Sequence, residues 1–101
     1  MRGIPIVNKI TREMERQLPS FMNHQSAREY FKKIYGKHFV LVDVDTIDGE
    51  KIYLYHLVLD EKKYKEGREK LLKGEIIFGT DYLFSYQPIE ISEDGTVHII
   101  H

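Results

Sequence analysis

Cysteine is absent from the 101 residues of this chain, which excludes a disulfide framework, a thiol nucleophile and a thiolate zinc site. The absence fits a reducing compartment, and a cytoplasmic location is the expectation. Long apolar runs are missing too. The longest, Ile52 to Leu59, is interrupted by His56 and falls far short of the roughly 20 residues that span a bilayer. Met1-Arg2-Gly3-Ile4-Pro5 has no apolar segment leading to a small-residue cleavage site, so no secretory signal is read there. Nor does charge of one sign dominate, since the net charge is −1. The balance nevertheless conceals a segregation. Basic against acidic residues number eight to three over 1–38, one to six over 39–61, six to two over 62–74 and none to five over 75–101. Lys and Arg are good helix formers and Asp collects in turns, so the blocks first report secondary structure.

What the chain does have is a pair of Asp-Gly turns, Asp48-Gly49 and Asp94-Gly95, each set between alternating strands. This is the strongest short-range hairpin signal in a sequence. For the first hairpin, strands are read from about Phe39 to Thr46 and from Lys51 to Leu59. A three-residue loop with Gly49 left-handed pairs Val44 with Ile52, Val42 with Leu54 and Asp45 with Lys51. A two-residue loop instead sets Asp45 against Ile52 and Asp43 against Leu54. The three-residue loop is the expectation, because it matches apolar with apolar and acid with base. One sheet face then carries Val40, Val42, Val44, Ile52, Leu54 and Val58, and the other carries Asp43, Asp45, Tyr53 and Tyr55. The same loop in the second hairpin pairs Ile91 with Val97, Ile89 with Ile99 and Glu90 with His98.

Helices are predicted from an Asn8 cap through Gln17, in the region of His24 to Tyr35 with Asn23 or Ser20 as cap, and from an Asp60 cap to about Lys73. Ala27, Tyr30, Phe31 and Ile34 form the apolar face of the second. Gly36 stands where a left-handed residue ends it. Ile76-Ile77-Phe78 reads as a short strand, and Tyr82 to Ser92 as extended, with Pro88 implying an edge or a break. The expected fold is a single α+β domain over 1–101. A helical hairpin packs with a mainly antiparallel sheet of about five strands, in the order α-α-β-β-α-β-β-β.

Chemistry is harder to find. Asp43 and Asp45 point the same way from one strand, but two carboxylates are few for a hard cation, which wants six or more oxygens. His98 opposite Glu90 has the form of a base with its orienting carboxylate, with no nucleophile nearby. No phosphate loop, dinucleotide fingerprint, His-Glu-x-x-His or nucleophile elbow is present. Neither cofactor nor metal is expected, and the chain reads as a non-enzyme. A small hydrolase or nuclease using His98 with Glu90, or a metal on Asp43 and Asp45, is the catalytic alternative. Nucleic acid is a second alternative, held by Lys62, Lys63 and Lys65 on the third helix, with Tyr82, Phe84 and Tyr86 as stacking aromatics. The leading expectation is a protein partner bound at Tyr53 and Tyr55, with Asp43 and Asp45 at a rim whose charge suits a basic one. No membrane partner is expected.

Overall fold

The computed structural model describes residues 7–77 and 79–101. Three helices, α1 (Arg12–Arg16), α2 (His24–Tyr35) and α3 (Glu61–Leu72), accompany strands β1 (Phe39–Ile47), β2 (Glu50–Val58), β3 (Tyr86–Ser92) and β4 (Val97–Ile99). The strands form one antiparallel sheet in the order β1-β2-β3-β4. The α+β class and the element order are as expected, except that the described residues hold four strands, not five. Ile76 and Ile77 are not in a strand, and Phe78 lies outside the described residues.

Each helix begins where a side chain can take up an orphan amide. Thr11 Oγ1 accepts from Met14 N, Asn23 Oδ1 from Ser26 N and Asp60 Oδ1 from Lys63 N. The first helix is therefore shorter than predicted and capped by Thr11 rather than Asn8. Asp60 and the positive φ of Gly36 are as read from the sequence, and of the two caps open to α2 the fold uses Asn23 rather than Ser20.

Side chains alternate across a strand, and directly opposed residues share a face. The inner face of the sheet thus carries Phe39, Tyr55, Leu57, Ile89, Ile91 and Ile99. With Ala27 and Phe31 of α2 and with Ile10 they form the buried core. Phe39 stacks on Tyr55 at 4.3 Å and on Phe31 at 5.2 Å between ring centroids. Gln87, buried in this apolar layer, bonds both backbone groups of Ile10 through its amide.

Pro88 lies in an interior strand, not at an edge. Its carbonyl accepts from Ile100 N, and the Ile100 carbonyl that a proline cannot serve takes Gln87 Nε2 instead, at 3.2 Å. The missing donor is thereby replaced from the neighbouring residue.

The outer face is covered at one end only. There α3 docks through Tyr64 onto His56, while Gly67 lies so close to Tyr82 that a Cβ would sit 2.2 Å from its ring.

Candidate protein interface

The first hairpin departs from expectation at its turn. Its loop has two residues, Asp48 (φ 52°) and Gly49 (φ 82°), both left-handed. That is the loop whose twist matches the flanking strands. Ile47 faces Glu50, Thr46 faces Lys51, Asp45 faces Ile52 and Asp43 faces Leu54. The expected pairs Val42–Leu54, Val44–Ile52 and Asp45–Lys51 do not form. A bulge between Leu41 and Asp43 then absorbs one residue. Beyond it Leu41 faces Tyr55, Val40 faces His56 and Phe39 faces Leu57, the register that the apolar pattern of the buried end demands.

This bulge divides the predicted binding surface. Asp43 and Asp45 share the outer face with Leu54 and Ile52, whereas Tyr53 and Tyr55 point to the inner face. The four residues do not form one patch. Tyr55 is 1% exposed beneath α2, which removes it from any surface. Its hydroxyl shares a hydrogen bond with His24 Nε2 at 2.7 Å. Burial pushes that phenol above its ordinary range. Tyr53 is half-buried, its ring stacked on His24 at 3.6 Å and 9°. Desolvation, aided by Arg28, lowers His24 below its usual value. By sequence alone His24 is only a residue in the first turn of its helix. Nothing in the sequence signals that it seals the two tyrosines, because that contact spans 31 positions.

On the covered end of the outer face, His56 is buried and stacks on Tyr86 at 3.9 Å. Its Nδ1 lies 3.0 Å from the Tyr64 hydroxyl. Burial, reinforced by Arg68, lowers it to about 4, so it is neutral at physiological pH. Tyr82 packs against Tyr64 and Tyr86, so two of the aromatics considered for base stacking are packed against other side chains. Phe84 is 75% exposed.

The uncovered end of the outer face, toward the Asp48-Gly49 turn, is acidic around an aliphatic centre. Across the sheet run Asp43, Leu54, Glu90 and His98 in one row, and Asp45, Ile52 and Ser92 in the next. Leu54, Ile52 and Glu90 are half-buried, while Asp43 and Asp45 are exposed. His98 Nδ1 lies 3.3 Å from Glu90 Oε1 on the surface. Among the described residues Leu54 stands between Asp43 and Glu90, so these two carboxylates are not neighbours in the sheet. Nor do three His, Asp or Glu side chains gather there closely enough to hold a metal ion. Lys62, Lys63 and Lys65 are exposed on α3. Lys63 lies 3.5 Å from Asp81 and Lys65 3.0 Å from Glu61, so part of their field is offset locally.

Comparison with models of protein families, with characterised proteins and with solved structures returned no match for this chain. Among the described residues no helix is long and apolar enough to cross a membrane.

Proposed function

We propose that the chain is a small protein-binding module without catalytic activity, and that it receives a basic partner on the uncovered end of its outer sheet face. One arrangement carries this reading. Ile52 and Leu54 form an aliphatic centre edged by Asp43, Asp45 and Glu90. Among the described residues neither Asp43 nor Asp45 has a cationic side chain within ion-pair distance. An apolar centre with a charged rim is the usual anatomy of a protein interface, and the rim's sign steers encounter with a complementary partner.

The test compares capture from cell lysate by the wild type, by Asp43→Lys with Asp45→Lys, and by Lys62→Glu with Lys63→Glu and Lys65→Glu. Nuclease and two salt concentrations are applied to each. The expected result is one protein retained after nuclease, lost with the aspartate reversals and kept with the lysine reversals. Protein capture indifferent to the aspartate reversals would overturn the reading. So would retention of nucleic acid alone, salt-sensitive and lost with the lysine reversals.

A further inference from the structure

The open edge of β1 carries a second device built from the same two aspartates. β1 is the terminal strand of the sheet, and among the described residues no strand pairs with its outer side. In an antiparallel ladder alternate residues turn their backbone groups toward the partner strand and away from it. Counting from the two-residue loop, Ile47, Asp45 and Asp43 bond inward to β2, and Thr46 and Val44 present their amides outward. Those two outward amides are occupied from within. Val44 N donates to Asp43 Oδ1 at 2.9 Å, and Thr46 N donates to Asp45 Oδ1 at 2.8 Å.

The residues around these carboxylates are made for pairing. From Val42 to Ile47 every residue except Asp43 and Asp45 is β-branched, the composition that most favours strands. Val44 is 44% exposed and Ile47 54%, so the stretch is open to solvent. An exposed edge of this kind is a template for another strand unless charge or a bulge blunts it, and here the Leu41–Asp43 irregularity does part of that work.

We propose that the outer edge of β1 is a latent pairing edge for a second copy of this chain, and that Asp43 and Asp45 hold it closed. A second copy brings an identical β-branched stretch, and a two-fold axis makes the contact self-complementary. What opposes it is charge and occupancy. The register that uses all four outward amides sets Val44 of each copy against Thr46 of the other, and Asp45 directly against Asp45. Moving to Val44 against Val44 sets Asp43 against Asp45 twice. Like charges directly opposed destabilise a ladder, and each carboxylate must also be drawn off its amide before that amide can pair. The inference stands apart from the proposed partner, because its test needs only the purified chain.

The test is the molar mass of the wild type and of Asp43→Thr with Asp45→Thr, by sedimentation equilibrium across a range of concentrations. Threonine removes the charge and makes the whole Val42–Ile47 stretch β-branched. The wild type is expected at the mass of one copy, and the double variant at twice that mass or more. In the double variant, hydrogen exchange at the Val44 and Thr46 amides should slow at least tenfold as concentration rises. Adding Val44→Pro removes one outward donor without touching an inward ladder bond, and should return the double variant to a single copy. Circular dichroism of that triple variant establishes that it remains folded, and Val44→Lys serves if it does not. A double variant that stays single, one whose association ignores both changes at residue 44, or a wild type already paired through this edge would each overturn the proposal.

Discussion

The two hairpins share a turn dipeptide and use it differently. Asp48-Gly49 stands free, with nothing within 4 Å of where a Gly49 side chain would begin. Asp94-Gly95 is docked. A Cβ on Gly95 would sit 2.4 Å from the Phe21 carbonyl oxygen, Glu93 O accepts from His24 N, and Glu93 N donates to Lys51 O. The free turn adopts the two-residue loop that strand twist prefers, and the strand behind it makes up the difference with a bulge. In the docked turn Ser92 N donates to Thr96 O around a three-residue loop with Gly95 at φ 92°. Its strands keep one unbroken register, with Ile91 opposite Val97. A turn dipeptide therefore sets the menu of loops, and what the loop touches chooses among them.

Glycine replacement breaks this contrast most strongly. Gly95→Ala must move the Phe21 backbone and also strain a positive φ, so a loss of roughly 3 kcal/mol or more is expected in urea unfolding. Gly49→Ala meets only the conformational strain, about 1–2 kcal/mol. Equal losses at the two sites would remove the distinction between docked and free.

The covered root of the first hairpin has its own signature. His56 is held near 4 in the fold against about 6.5 in an unfolded chain. Its neutral form is the one that the fold accepts, so its contribution is complete above about pH 6.5. That contribution is lost as pH falls from there toward 4, by up to roughly 3 kcal/mol in all. His56→Phe keeps the ring on Tyr86 and should flatten the stability profile across that window. An unchanged slope would show that other groups carry it.

Deletion of Val42 sharpens the comparison at the smallest cost. Without that residue the pairs Leu41–Tyr55 and Asp43–Leu54 become successive steps of an unbroken ladder, and Asp43 and Asp45 stay on the outer face. A smaller loss of stability than at either glycine or His56 is expected, with nuclear Overhauser effects showing the Leu41–Tyr55 and Val44–Tyr53 cross-strand proximities both retained. Loss of either proximity would mean that the bulge holds something other than slack.

Two rules bearing on the first hairpin conflicted, and the fold satisfied each where it was strongest. Apolar matching predicted one register and the Asp-Gly turn favoured another. The first governs at Phe39, where burial is complete and a slip would expose a core face. The second governs at Asp45, where both faces are wet and only backbone geometry matters. The predicted surface failed at the junction, because one extra residue turns every later side chain over. The fate of Tyr55 was equally out of reach. Tyr-x-Tyr on a strand serves a binding face or a core, and α2, a segment distant in the chain, made it core.

Local chemistry was enough to determine the Asp60 cap, the end of α2 at Gly36, the second hairpin's register and the α+β order. Each depends on groups a few positions apart, or on periodicity within one element. Tertiary structure alone decided which face α2 would cover, where the ladder would bulge, how Gln87 would stand in for the Pro88 amide, and whether Asp43 and Asp45 would join the tyrosines. Those outcomes follow from competition for burial and for hydrogen-bond partners between segments distant in the chain, and no local pattern records who wins it.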